Sequence, residues 1–505
     1  MSCIKLDHRR AISIFGAPMS NQLNILIIQA DEHRQDCLGA YGNLDIKTPH
    51  IDSLATDGVR YDNSFCPYPV CTPSRHSFLT SLYARQHLGA SNHSTIPQGL
   101  PTFPRVLKNA GYKTKAVGKM HLTPTYADVG FDELILAEQN GKGRYEDDYH
   151  RWLRDEGLYD RIDLMDQERE YRQNAPQEYW DTVGAMVSDL DEEHHSTTWI
   201  ANQAIQELET WNSGGHLLMT SFIKPHHPFD PPAPWHEMYD PNTLQMLPGY
   251  TGIPLERDVN YTNGFFPYTK MTEHKIRLAM AMYYATISQI DHHVGRMIQH
   301  LKEADLYDNT LILYNSDHGD YMGYHHLLLK GNYMYDPVIK VPLIIKYPNQ
   351  AHANTVSTDL VNTIDVGPTL LNIANCETPS TMIGSDLRTG VQNRDYMFAE
   401  MGRGREYMVR SHTHKLLLCK DSNQSQFFDL QEDPYELHNC IQDPTVQTQM
   451  TDMKNALMQW ILFDAPSCVH LDENAPIINQ PNVPTRNDRH REDLYTYFEK
   501  RMNEK

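Results

Sequence analysis

The chain has 505 residues, 40% of them hydrophobic and 10% aromatic, with 44 Lys and Arg against 65 Asp and Glu and a formal charge of −21. That length can bury the core of one large domain and a smaller one. It carries no basic block to meet a phosphate backbone and no apolar run of about 18 residues, which speaks against a nucleic-acid partner and a membrane-spanning helix. An acidic protein that binds an anion must gather its cations in one cleft. The eight cysteines are scattered without a C-x-x-C pair, which fits a reducing compartment better than a disulfide framework or zinc ribbon. Arg9 and Arg10 precede only a short apolar stretch, Ala11 to Met19. Residues 1–22 are therefore expected to be an extension of a cytoplasmic protein, a weak export signal being the alternative.

Asn24 to Ala30, N-I-L-I-I-Q-A, is a continuous apolar run and reads as a buried strand of a parallel sheet. Thr48 and Pro49 open a short helix to about Asp57, threonine as cap and proline in the first turn. Pro73 to Leu82 reads as a helix with Cys71 or Thr72 at its N-terminus, where backbone N–H groups favour a negative centre. Thr102 to Asn109 is helical and Lys113 to Val117 a strand. Residues 144–193 are dense in Asp, Glu, Arg and Tyr and read as a polar, partly helical insertion with a solvated face. Leu217 to Ile223, Thr310 to Asn315 and Pro342 to Tyr347 read as further strands, and Glu273 to Glu303 as a long helix. Strands alternating with helices predict an α/β fold on a large, mostly parallel mixed sheet. Past about Asp395 short strands such as Lys415 to Cys419 take over. Residues 23–390 are thus expected to form the main domain and 391–505 a smaller C-terminal α+β unit. Its Pro-, Asn- and Arg-rich tail from Asn474 would wrap the surface or a second copy of the chain.

The chemistry-bearing residues follow strands. Asp31 comes directly after the first, and Asp317 and His318 after the strand ending at Asn315. Ligands of open α/β sheets bind beyond the carboxyl ends of strands, so two acids distant in sequence can meet at one metal. Carboxylate oxygens suit Ca²⁺ or Mg²⁺, and the imidazole admits Mn²⁺. Lys119 and His121 follow Lys113 to Val117, Lys224, His226 and His227 follow the strand ending at Ile223, and Lys330 lies in the loop after Asp317. Ammonium and imidazole groups at one sheet edge suit a dianionic transition state and a departing alkoxide.

These segments, in order, are A-D-E-H-R (30–34), K-T-P-H-I-D-S-L (47–54), C-T-P-S-R-H-S-F-L-T (71–80), G-K-M-H-L (118–122), K-P-H-H-P-F (224–229), S-D-H-G-D-Y (316–321) and L-L-L-K-G (327–331). Over roughly residues 23–440 the chain resembles a type I sulfatase of the alkaline-phosphatase-like superfamily. The resemblance implies that Cys71, in the C-x-P-x-R pattern read by a sulfatase-maturating enzyme, is oxidised to formylglycine (3-oxoalanine) and serves as nucleophile. Arg75 would hold the hydrated aldehyde. Asp31, Asp317, His318 and the modified Cys71 would bind a divalent metal, Ca²⁺ foremost, with Mn²⁺ or Mg²⁺ as alternatives. Lys119 and Lys330 would bind sulfate oxygens, His121 would act as base, and His226 would protonate the leaving group, His227 being second choice there.

The chain departs from the pattern at Glu32, where many relatives have a second metal-binding Asp and the longer Glu remains a candidate ligand, and at Tyr324, where many have an acid. Asn92 resembles an active-site asparagine of choline-sulfatase-like members, and His325 is a candidate supporting group. The expected substrate is a sulfate monoester of a carbohydrate, an aryl alcohol or choline. Its alcohol half would be recognised by loops 122–195 and 229–270, with Trp152, Trp180, Trp235 and Tyr239 available for stacking. A phosphonate monoester or phosphodiester hydrolase of the same superfamily is the nearest alternative, disfavoured by the Lys119-x-His121 pair. A non-catalytic binding relative is a third reading.

Overall fold

The computed structural model describes residues 22–97, 99–139, 147–251, 255–259, 266, 271–331, 333–391, 394–402, 404–467 and 488–504. Its centre is an eight-stranded sheet of β1 (Asn24–Ala30), β2 (Val59–Phe65), β3 (Lys113–Gly118), β4 (Glu133–Leu136), β5 (His216–Phe222), β6 (Thr310–Ser316), β7 (Leu343–Lys346) and β8 (Thr355–Asn362). The spatial order is β4-β3-β5-β1-β6-β7-β2-β8. Every neighbouring pair runs parallel except those made by β7, which is antiparallel to β6 and β2. This is the large mostly parallel mixed sheet expected from the sequence.

All residues of β1, β5 and β6 are buried, because helices cover both faces of the sheet. Leu26 and Ile28 of β1 join a core with Ile200 and Ala204 of the helix Ser196–Leu208 and Tyr283 and Ile287 of the helix Glu273–Glu303. Ile25 and Ile27 point the opposite way, against Phe103, Leu107 and Leu370. That period-two division is what a strand buried on both faces requires. Gly118 closes β3 at φ 96°, and a Cβ there would lie 2.0 Å from the Ser221 carbonyl. Glycine is needed at that point because β3 and β5 approach so closely.

Three strands of this sheet, β2, β4 and β8, escaped the sequence reading. β2 carries Arg60 and Asp62, which pair with each other at 2.7 Å, so its pattern is not apolar. β8 lies at the sheet edge with its first half largely exposed. The helix expected from Pro73 begins at Cys71, with Val70 extended before it, and ends at Thr80, where Ser81 turns left-handed.

The insertion reading needs correction. Residues 147–193 do form helices, Asp148–Asp155, Arg161–Gln167, Arg169–Gln173 and Gln177–Asp181. Their acids are not only a solvated face, since Asp147, Asp160, Asp163 and Asp166 are buried. The helix Asp488–Asn503 from the tail lies on this same insertion, with Leu494 and Phe498 packed with Leu164.

A second, antiparallel sheet follows, β9 (Met397–Met401), β10 (Glu406–Arg410), β11 (His414–Cys419) and β12 (Gln426–Asp429), in order β12-β11-β10-β9. Lys415 ties it to the helix Asp336–Ile339 that precedes β7. Its ammonium is fully buried, 2.9 Å from Asp336 and 2.5 Å from Glu436. Removing one partner of a buried pair strands the others, so Lys415→Met is expected to cost about 3 to 5 kcal/mol in urea unfolding.

Candidate active site

Five adjacent strands, β4-β3-β5-β1-β6, end on the same sheet edge, Ala30 pairing with Phe222 and Ser316 and Gly118 with Ser221 and Leu136. The turns beyond them carry Asp31, Lys119, Gln139, Lys224 to His226, and Asp317 with His318 into shared space. Cys71 reaches it from the start of the helix after β2. Side-chain atoms of Asp31, Cys71, Asp317 and His318 all lie within 4.8 Å of one another, and the four residues are buried. Cys71 Sγ is 3.2 Å from His318 Nε2 and 3.7 Å from Asp31 Oδ1.

Arg75 organises this quartet. It lies one helical turn after Cys71, so both project from one helix face. Its Nε donates to Asp317 Oδ2 and its Nη2 to Asp31 Oδ2, each at 2.8 Å. Its Nη1 donates to Ser221 Oγ at 2.8 Å and the Lys119 carbonyl at 2.5 Å. Each carboxylate thus turns one oxygen to Arg75. The other oxygens, Asp31 Oδ1 and Asp317 Oδ1, lie 3.8 and 3.9 Å from His318 Nε2. Burial alone would raise the Asp31 carboxyl, but Lys119 and Arg75 outweigh it and hold the group well below the usual carboxylate range. Two anionic oxygens and an imidazole nitrogen around one point fit a hard divalent cation. Burial pushes the Cys71 thiol up to about 12, so as a plain thiol it stays protonated and is a weak nucleophile.

Around the quartet, Lys119 Nζ is 2.8 Å from Asp31 Oδ2 and is fully buried. Lys330 Nζ is 2.7 Å from Glu32 Oε2, and His226 Nε2 is 3.3 Å from the same oxygen. His121 is buried at a left-handed φ of 53°, its N–H held by Glu138 Oε1 at 2.9 Å, and neither ring nitrogen has a hydrogen-bond partner among the described residues. Burial and Lys119 hold His121 well below the usual histidine range, and burial with Lys330 does the same for His226.

A family model described as Sulfatase matches residues 23–376. The chain belongs to the sulfatase family. A second model, N-sulphoglucosamine sulphohydrolase, C-terminal, matches residues 323–462 of this sulfatase. It is 29% identical over 468 residues to an arylsulfatase of Clostridium perfringens, covering 86% of this chain and 94% of that one. It is 26% identical over 474 residues to an N-acetylglucosamine-6-O-sulfatase of Bacteroides thetaiotaomicron, covering 82% of each. Among solved structures, its fold is similar to a phosphonate monoester hydrolase of Agrobacterium radiobacter, with TM-score 0.72, 22% identity and coverage of 87% and 95% of the two chains.

In this sulfatase Cys71, Arg75, Asp31, Asp317, His318, Lys119, His121, His226, Lys330 and Glu32 form one connected group. Glu32, a candidate metal ligand, has Oε2 beside Lys330 and His226, lies with Asp31 and His226 in a second group of possible ligand atoms within 4.8 Å of one another, and has its carboxyl lifted by burial to about 7. Asn92 caps the Cys71 helix, its Oδ1 accepting from Thr72 N at 3.2 Å. His325 is taken up elsewhere, its Nδ1 3.1 Å from Asp258 and its Nε2 donating to the Tyr435 carbonyl at 2.9 Å. His227 turns to Asp166. The aromatic candidates are also engaged. Trp152 stacks on His194, Trp180 packs on Tyr179 and Phe266, Trp235 donates to Glu192, and Tyr239 pairs with Ser288. Glu138 and Ser221 went unread, because nothing in a lone Glu or Ser signals that it faces His121 or Arg75.

Proposed function

We propose that this sulfatase hydrolyses a sulfate monoester with Cys71, matured to formylglycine, as its nucleophile and a divalent cation, Ca²⁺ foremost, held by Asp31, Asp317 and His318. Hydrated formylglycine supplies two hydroxyls on one carbon, one to attack sulfur and one to expel sulfate. The cation supplies positive charge that favours the ionised hydroxyl and polarises the ester. Arg75 holds both carboxylates aimed at one point and, with Lys119, keeps that of Asp31 ionised. Lys119 and Lys330 bring their ammonium groups to the sulfate oxygens, where charge develops. His121, neutral and with its ring nitrogens unpartnered among the described residues, takes the proton that releases sulfate. His226 gives a proton to the departing oxygen, for an anionic ester beside Nε2 favours its charged form.

The observation that carries this reading is the bridging of Asp31 and Asp317 by Arg75, one turn from Cys71. Formylglycine would be installed by a sulfatase-maturating enzyme, and a cytoplasmic site of action remains part of the proposal. Carbohydrate, aryl and choline esters are the candidate substrates. The fold likeness to a phosphonate monoester hydrolase favours a second reading, phosphonate or phosphate ester cleavage. Comparing 4-nitrophenyl sulfate with 4-nitrophenyl phenylphosphonate decides between them. Faster turnover of the sulfate is expected, together with an intact mass about 18 Da below that of the unmodified chain, the exchange of thiol for aldehyde. Faster phosphonate turnover would select the second reading.

A further inference from the structure

The loop after β5 holds His226 between two buried ion pairs. On one side, the fully buried Lys224 ammonium pairs with Asp230 and donates to the Pro228 carbonyl at 2.8 Å. On the other lies the insertion. His227 Nδ1 is 2.8 Å from Asp166 Oδ1, and His227 Nε2 lies 3.0 Å from the Val183 carbonyl. The Asp166 carboxylate beside Nδ1 and the carbonyl at Nε2 both favour the charged ring. Burial would lower His227, but Asp166 outweighs it and the group is raised. Tyr179 Oη donates to the same Asp166 oxygen at 2.5 Å.

The His227 carbonyl is a point of convergence. Gln139 Nε2 donates to it at 2.8 Å, Gln167 Nε2 at 2.9 Å and His226 Nδ1 at 2.6 Å. Facing a carbonyl oxygen, Nδ1 of His226 must carry hydrogen. That fixes Nε2 as the nitrogen presented to Glu32 and the pocket, as an oriented metal- or substrate-facing histidine requires. Asp166 and Gln167 come from the charge-rich insertion, on the helix Arg161–Gln167 and about 60 residues before the loop they hold.

We propose that Asp166 and Gln167, acting through His227, are positioning residues that set the ring orientation and tautomer of His226 as the acid of the reaction. The inference rests on the reading of His226 as proton donor. An acid matters in proportion to how badly the leaving oxygen needs a proton, so its misplacement shows in leaving-group dependence.

The test is a series of substituted phenyl sulfates, from 4-nitrophenyl to phenyl, assayed with Asp166→Asn, Gln167→Ala and His226→Ala. Both positioning variants are expected to lose about tenfold or more on phenyl sulfate and less than about threefold on 4-nitrophenyl sulfate, with His226→Ala following the same trend more steeply. Equal losses across the series, or none, in folded variants would overturn the inference. Gln167→Ala decides the matter if Asp166→Asn does not fold, since it removes one hydrogen bond from the end of a helix. A His226→Ala variant with no leaving-group trend would instead overturn the acid assignment, and a wild type inert to phenyl, carbohydrate and choline sulfates alike would overturn the parent reading.

Discussion

Replacing Cys71 by serine is expected to stop the enzyme after one chemical step. The serine hydroxyl occupies the same buried place at the start of its helix, beside His318 and Asp31. It can attack sulfur, forming an O–S bond as the S–O bond to the alcohol breaks and the alcohol leaves with a proton. The carbon then carries no second hydroxyl, so the C–O cleavage that would free sulfate cannot occur. Intact mass after incubation with ester should rise by about 80 Da, one SO₃, with one equivalent of alcohol released and turnover down by about 10³-fold or more. Cys71→Ala should release no alcohol and gain no mass. Sustained multiple turnover by the serine variant would refute the two-hydroxyl mechanism.

Arg75→Ala is expected to damage stability and activity together. Asp31 and Asp317 are buried and share this one guanidinium. Its removal leaves two close carboxylates, with Lys119 still on Asp31. A loss of about 3 to 5 kcal/mol is expected at neutral pH, with turnover abolished. The sign of its pH dependence is fixed by the depressed Asp31 carboxyl. A depressed carboxylate contributes stability above its unfolded value of about 3.9 and loses it as pH falls through the folded value. The deficit of the variant should therefore shrink as the solution is acidified below about pH 4, where neutral carboxyls need no partner. A divalent cation, binding only the folded site, should restore part of the lost melting temperature at neutral pH. Thermal unfolding with and without added Ca²⁺ checks both. A deficit unchanged by acid or cation would show that Arg75 acts through packing alone.

Legibility in the sequence followed the type of signal. The strands β1, β5 and β6 were readable because burial on both faces leaves an unbroken apolar run, and the acids and cations just beyond such runs were readable as a site. Cys71 and Arg75 were readable as a pair because they share one short motif, C-x-P-x-R. β2 was not, since Arg60 and Asp62 satisfy each other locally and erase the pattern. The charges of 147–193 misled for a similar reason. A buried Asp166 and a solvated Asp have the same letter, and partners such as His227, some 60 residues away in the chain, distinguish them.

The sequence by itself determined the α/β architecture, the resemblance to sulfatases and the roster of reactive residues. It did so because strand periodicity, helix spacing and short motifs are local properties of the chain. Only the tertiary structure decided which of those residues share a point in space. It assigned Glu32 to Lys330 and His226, turned His227 away to Asp166, and took His325 to Asp258. The reason is electrostatic: in a dry interior each charge must find a partner, and the partner is set by which strand ends lie side by side, not by order along the chain.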